Sequence, residues 1–129
     1  MREVKAFDKN YKKMCKVLNI NFESKIVHLS DEKDGEVYWG RSFDDVQFIQ
    51  STGLKDKNGK EIYEGDIVKI SGHPFQGSID IDGNYEVGYN EYMELSCGGW
   101  YLFRMRHWAE VIGNKFENPE LLKGDGENE

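Results

Sequence analysis

The stretch from Thr52 to Ile70, TGLKDKNGKEIYEGDIVKI, contains the two strongest local structural signals in the sequence. Asn58-Gly59 separates two runs that can pair, and this dipeptide favours a tight hairpin turn because both central residues of such a turn have positive φ. Glu64-Gly65-Asp66 interrupts the chain again, and we expect Asp66 to anchor that turn by accepting hydrogen bonds from backbone N–H groups. The β-branched run 67–70 that follows is typical of a buried strand. Together these signals predict one corner of a small barrel.

Two parts of the chain also carry a family resemblance. They are TGLKDKNGKEIYEGDIV at 52–68, and EVIGN at 110–114 followed by ENPELL at 117–122. These segments are similar to the central and C-terminal signatures of the YopX family, small proteins of phages and prophages. The opening VKAFD at 4–8 differs from the Arg-Ala-Trp type of sequence that members typically have there. The resemblance implies an SH3-type β-barrel and a phage or prophage origin. It implies no catalytic residue, because the family is functionally uncharacterised.

The N-terminal third indicates a small β-lobe. Residues 3–7 and 14–22 can form a first hairpin around Asp8-Lys9-Asn10, and period-2 spacing places Met14, Leu18, Ile20 and Phe22 on one face. Strands are also predicted at Lys25–Leu29 and around Trp39. The segment 43–50 is compatible with a helical turn or a strand, and its β-branched and aromatic content favours strand.

The segment 85–97 shows the clearest periodicity. Its large apolar residues fall on odd positions: Tyr85, Val87, Tyr89, Met93, Leu95 and Cys97. Alternation of this length predicts one long strand, bent by a bulge at Gly88 or Asn90. Gly98-Gly99 then predicts a hairpin loop, followed by a helical turn at 104–107 and a closing strand at 108–112.

We therefore predict an all-β fold with little helix. An N-terminal β-lobe occupies 1–50, an SH3-like barrel occupies 51–115, and 116–129 form a C-terminal extension with a disordered acidic tail.

Composition predicts a cytoplasmic protein of a bacterial host. No apolar run approaches the ~20 residues of a membrane span, and the N-terminus lacks the apolar core of a signal peptide. Without an export signal, Cys15 and Cys97 are expected to be reduced and dispensable for folding.

The net charge of −7 is unevenly distributed. Residues 1–16 carry a net charge of +4, and the rest of the chain carries −11. Phosphate binding needs clustered Lys and Arg, so the acidity of the main part of the chain makes nucleic acid the less favoured partner.

No residue pattern supports catalysis, a metal or a cofactor. The three histidines and two cysteines are isolated in sequence, without CxxC or HxxxH spacing. A nucleophile–base pair of Cys97 with His107, or acid–base pairs such as Glu64 with Asp66 and Asp80 with Asp82, would define a small hydrolase. This is the weakest hypothesis, because such carboxylate pairs arise by chance among 24 acidic residues.

Binding through exposed aromatic side chains is better supported. The candidate partner-binding residues are Trp39, Tyr92, Trp100, Tyr101, Arg104, Arg106 and Trp108. The first hypothesis is a non-enzymatic phage or prophage accessory protein that binds an unknown host or phage protein. The alternative is a nucleic-acid-binding small barrel that uses the basic N-terminal segment with Arg104 and Arg106.

Seventeen aromatic residues are also difficult to bury in two small β-lobes. Exposed apolar patches and open sheet edges both favour association between copies, so a homo-oligomer is expected.

Overall fold

The computed structural model describes residues 4–74 and 81–122. The chain divides into two compact units, Met1–Ser51 and Thr52–Glu129. Arg2, which belongs to the basic N-terminal segment, and the acidic tail lie outside the described residues.

The first unit is built from antiparallel strands. They are β1 Val4–Asp8, β2 Lys13–Asn21, β3 Ile26–Asp31, β4 Tyr38–Ser42 and the first part of β5 Val46–Lys55, in the sheet order β4-β3-β2-β1-β5. Ala6 lies opposite Cys15 on β2 and Phe48 on β5. The core residues of this unit are Ala6, Cys15, Val27, Leu29 and Val46. A 3₁₀ turn at Phe43–Asp45 precedes β5, so the segment 43–50 is strand only from Val46 onward.

The prediction that Met14, Leu18, Ile20 and Phe22 share one face of a strand is wrong. The register between β2 and β3 shifts between Val17 and Asn19, and an irregularity of this kind moves the following side chains to the opposite face. Cys15 and Val17 face the core before this shift and Ile20 faces it afterwards. Met14 is buried, Leu18 lies within the irregularity and is 53% exposed, and Phe22 lies beyond the end of β2 and is 76% exposed.

The second unit contains the rest of β5 and a further antiparallel sheet. Its elements are β6 Glu61–Tyr63, β7 Asp66–Ile70, β8 Gly83–Tyr89, β9 Leu95–Cys97, β10 Trp100–Tyr101, α1 Leu102–Met105 and β11 Ala109–Asn114, with 3₁₀ turns at Arg106–Trp108 and Pro119–Leu122. β6 pairs with β5, and the other strands follow the order β10-β9-β8-β7-β11. The all-β prediction is confirmed, while the SH3-like barrel stays a prediction.

The core of the second unit lies under this sheet. Its buried members include Ile62, Val68, Ile70, Val87, Cys97, Leu102 and Met105. The predicted strand at 67–70 is confirmed, because only Lys69 in it is exposed. Asp66 anchors the preceding turn as expected: its Oδ2 accepts a hydrogen bond of 2.8 Å from Tyr63 N.

The hairpin at Asn58-Gly59 exists, but its turn differs from the predicted type. Of the two residues Asn58 and Gly59, only Gly59 has positive φ (83°). Gly59 N donates to Asp56 O across 3.0 Å. The buried Asp56 carboxylate accepts from Asn58 N and Lys60 N through one oxygen and from Val111 N through the other, each at 2.9 Å. The loop is wider than a two-residue turn, because Asp56 N donates to Lys60 O across 2.8 Å and residues 57–59 lie between them. Asp56 also attaches this loop to β11.

Replacing Gly59 by valine is expected to lower the free energy of unfolding by about 1 kcal/mol or more, because a β-branched residue tolerates positive φ poorly. A Cβ at this position has nothing within 4 Å, so the cost is conformational and not steric. Gly35→Val is the matched control, since Gly35 also lies in open space but lacks positive φ. Urea unfolding checks both variants, and equal midpoints would contradict the expectation.

Candidate partner-binding groove

An open groove of about 460 Å³ lies at the end of the second sheet. Its lining comes from the loop after β8, from β9 and from the β9–β10 hairpin: Asn90, Glu91, Tyr92, Glu94, Ser96, Gly98, Gly99, Trp100 and Tyr101. Three of the seven predicted site residues, Tyr92, Trp100 and Tyr101, therefore meet in one place. The volume lies within the range of ligand-binding clefts.

The 90–94 loop is ordered by one asparagine. Asn90 Oδ1 accepts hydrogen bonds from Tyr92 N (2.8 Å) and Glu94 N (2.9 Å), and Asn90 N donates to Glu94 O across 2.9 Å. Met93 completes the turn at φ 64°. The loop consequently turns Tyr92 and Met93 outward, where they are 74% and 75% exposed.

This loop corrects the prediction for 85–97. The segment forms two strands, β8 and β9, that pair antiparallel with Val87 opposite Cys97 and Tyr89 opposite Leu95. Apolar residues stay on odd positions on both sides of the loop because of the length of the loop, and not because the segment is one strand. Because the chain reverses at 90–94, the loop comes next to the following hairpin at 98–101.

The second wall of the groove depends on Gly98. This residue has φ 61°, and a Cβ on it would lie 2.4 Å from Cδ1 of Tyr85. The Tyr85 hydroxyl donates to Ile81 O across 2.6 Å, which fixes the ring against the hairpin. The predicted Gly98-Gly99 hairpin is confirmed, with Trp100 opposite Cys97.

The groove combines aromatic rings with negative charge. Glu94 Oε1 accepts from Asn90 Nδ2 (3.0 Å), and Glu94 Oε2 accepts from the Tyr101 hydroxyl (3.4 Å). Glu91 supplies a second carboxylate. Among the described residues that line the groove, none is Lys, Arg or His. The electrostatic character of the site is therefore acidic.

Trp39 has a different environment, in the first unit. Its indole Nε1 donates to the buried carboxylate of Asp8 across 2.7 Å, and Arg41 Nε donates to the same oxygen across 2.9 Å. Burial raises the pKa of Asp8, but the hydrogen bonds from Trp39, from Tyr11 N and Asn10 N, and from Arg41 outweigh it and leave the pKa below its ordinary value. Trp39 thus takes part in a structural network.

The other candidate residues lie on the segment after β10. Arg104 is exposed, whereas the Arg106 guanidinium lies 4.9 Å from the ring centroid of Phe103 and its Nε is buried without a hydrogen-bond partner among the described residues. Trp108 is half-buried against the core, with its ring 4.4 Å from that of His73. None of the three lines the groove.

Both cysteines are free and buried. Burial raises the pKa of each thiol to about 11, with the Asp8 charge adding to the effect at Cys15. Since the thiolate is the reactive form, neither sulfur is activated as a nucleophile. His107 is exposed and makes an edge contact with Trp108.

Two further features bear on the class of protein. Within residues 4–74 and 81–122, no three His, Cys, Asp or Glu side chains form a group that could hold a metal ion. In the same ranges no helix has the length and apolar character required to cross a membrane. Asp80, one of the carboxylates considered for acid–base chemistry, lies outside the described residues.

The sequence pattern missed the acidic half of the groove. Alternation over a single strand places Glu94 on the polar face between the apolar positions, and Glu91 interrupts the apolar face. The available signal was Asn90, since asparagine favours turns by accepting hydrogen bonds from the backbone two or more residues later.

The two antiparallel sheets make this an all-β protein. Its candidate site is an open groove lined by aromatic and acidic side chains. The family described as YopX protein matches residues 3–123, so the chain belongs to the YopX family. It is similar in structure to protein EF1440 from Enterococcus faecalis, with a TM-score of 0.62 and 25% sequence identity over 95% of this chain and 98% of that chain. No curated protein matches the chain.

Proposed function

We propose that this protein is a non-enzymatic phage or prophage accessory protein that binds another protein in the cytoplasm of a bacterial host. The 90–101 groove is its docking site. The observation that carries the proposal is the meeting of Tyr92, Trp100 and Tyr101 in one open cleft.

The composition of the groove supports a protein partner. Tyrosine, tryptophan and methionine are enriched in protein interfaces, and Tyr and Trp are frequent among the residues that dominate binding energy. Tyr92, Met93 and Tyr101 are 74%, 75% and 52% exposed. An apolar cluster of this kind at the rim of a cleft is typical of an interaction surface.

The nucleic-acid alternative has less support from the described residues. Lys5 Nζ lies 3.0 Å from Glu32, and Lys13 pairs with Asp31 and holds the pKa of that carboxyl at about 2. Basic side chains already paired with carboxylates are less available to phosphates. The groove itself would repel a phosphate backbone through Glu91 and Glu94.

Catalysis is also less well supported. The raised pKa of both thiols leaves little thiolate at neutral pH. Asp66 uses its carboxylate to hold the turn before β7.

Affinity capture from the bacterial host, followed by mass spectrometry, tests the proposal. We expect the wild-type chain to retain a specific protein that the double variant Tyr92→Ser, Tyr101→Ser loses by about tenfold or more, because both changes remove exposed rings from the groove. The double variant should fold, since neither side chain belongs to the core.

Tyr38→Ser is the matched control, because Tyr38 is a 68% exposed tyrosine outside the groove. This variant should retain the partner fully. Equal capture by all three proteins, or retention of DNA or RNA that weakens steeply with salt, would overturn the proposal.

A further inference from the structure

The groove has a chemical preference that follows from its two carboxylates and its rings. We propose that it binds an arginine side chain presented by an extended segment of the partner protein, an inference that rests on the proposed function. The guanidinium forms hydrogen bonds with Glu94 and stacks on the exposed tyrosine rings.

Glu94 is positioned to receive a cation. Its two carboxylate oxygens are each held by one donor, Asn90 Nδ2 at 3.0 Å and the Tyr101 hydroxyl at 3.4 Å. A carboxylate oxygen accepts about two hydrogen bonds, so each oxygen retains accepting capacity towards a ligand. Because Asn90 is itself fixed by the 90–94 loop, the carboxylate is oriented before binding, which lowers the entropic cost of ordering it.

The tyrosine rings supply the second half of the site. Tyr92 and Tyr101 are exposed on two different segments that border the same cleft. A cation over an aromatic face gains about 0.5–2 kcal/mol, with the larger values where water is excluded. The planar guanidinium both stacks on rings and donates two parallel hydrogen bonds to a carboxylate, which a lysine ammonium does not do.

The shape and charge of the cleft favour a peptide over other occupants. A volume of about 460 Å³ accommodates one long side chain together with adjoining backbone. β10 forms one end of the sheet order, so the cleft lies beside a sheet edge where an extended segment can run. An anionic ligand would meet Glu91 and Glu94 without any basic residue in the described lining.

Titration of the full chain with short peptides, followed by ¹H–¹⁵N NMR, tests the inference directly. The probe is acetyl-Gly-Ser-Arg-Ser-Gly-amide, and its control carries citrulline, a neutral analogue of arginine with nearly the same shape. We expect saturable shifts at the amides of residues 90–94 and 98–101 with the arginine peptide. Binding of the citrulline peptide should be about tenfold weaker, because the charge-assisted hydrogen bonds are lost.

Two charge variants sharpen the test. Glu94→Gln should weaken binding of the arginine peptide about tenfold, while its side-chain oxygen still accepts a hydrogen bond. Glu86→Gln removes the same charge from β8, where Glu86 pairs with Lys115 at 3.1 Å outside the groove lining, and should bind as the wild type does. The NMR spectrum of each variant reports whether the fold is intact.

Equal affinity for the arginine and citrulline peptides, or equal weakening by both variants, would overturn the inference, and so would shifts confined to residues outside the groove. A protein captured by the wild type, lost by the Tyr92/Tyr101 double variant and bound normally by Glu94→Gln would leave the docking function standing and reject arginine recognition. Absence of any groove-dependent partner would reject the docking function itself.

Discussion

Replacing Asp8 with alanine is expected to lower the free energy of unfolding by about 3–5 kcal/mol, the range for breaking a buried ion pair. Asp8 is fully buried, and its carboxylate accepts four hydrogen bonds: from Trp39 Nε1, Arg41 Nε, Asn10 N and Tyr11 N. The substitution leaves the first two donors without their acceptor and removes the anchor of the β1–β2 turn. Urea unfolding followed by tryptophan fluorescence measures the loss.

Asp44→Ala is the matched control for this change. Asp44 is an exposed aspartate of the same unit, and only its backbone atoms take part in the described hydrogen bonds. Its substitution should alter stability by no more than about 0.5 kcal/mol. A loss of similar size in both variants would show that the Asp8 network contributes little.

The contribution of Asp8 should also depend on pH in a defined direction. Its pKa is lower in the folded chain than the ordinary value of 3.8, so the stabilisation is fully present above that value. It is lost as the pH falls below about 4 and through the folded-state pKa. The difference in stability between the wild type and Asp8→Asn, measured by urea unfolding, should be constant from pH 5 to 7 and shrink below pH 4. A difference that grows on acidification would contradict the expected sign.

Replacing Gly98 with alanine is expected to cost about 2–4 kcal/mol of unfolding free energy and to disturb the groove. Two effects add: the residue has φ 61°, and its new Cβ would lie 2.4 Å from the Tyr85 ring. The Tyr85 ring cannot move away freely, because its hydroxyl donates a hydrogen bond to Ile81 O. Thermal and urea unfolding measure the cost.

Gly99→Ala is the control, since the adjacent glycine lacks positive φ and has nothing within 4 Å of a Cβ. It should be nearly neutral. In a Tyr85→Leu background, Gly98→Ala should cost only the backbone part, about 1 kcal/mol. The same cost in both backgrounds would show that the ring contact contributes nothing.

The positions of the turns were readable from the sequence because they depend on single residues, although the type of the turn at Asn58-Gly59 was not. Gly59, Gly65 and Gly98 all have positive φ, where a side chain would be strained whatever surrounds it. Short β-branched runs such as 67–70 were likewise predictable, since a strand that is buried on both faces needs apolar residues at consecutive positions. The all-β class follows from these local signals.

Register and strand length were not readable in this way. The bulge between Val17 and Asn19 reverses the faces of β2, and the period-2 pattern gives no sign of it. The alternation at 85–97 is equally compatible with one strand and with two strands separated by a loop of odd length. The backbone hydrogen bonds to Asn90 select the second arrangement.

Sequence alone determined which aromatic and basic side chains are candidates for binding, and the tertiary structure decided which of them lie together. Tyr92, Trp100 and Tyr101 meet because antiparallel pairing of β8, β9 and β10 places the 90–94 loop beside the Gly98-Gly99 hairpin. The same pairing adds Glu94, whose carboxylate contributes to the acidic character of the groove. Trp39 does not line the groove, and its N–H donates to Asp8, 31 residues away in the sequence. Contacts between distant residues are set by packing of the whole sheet, and no local pattern encodes them.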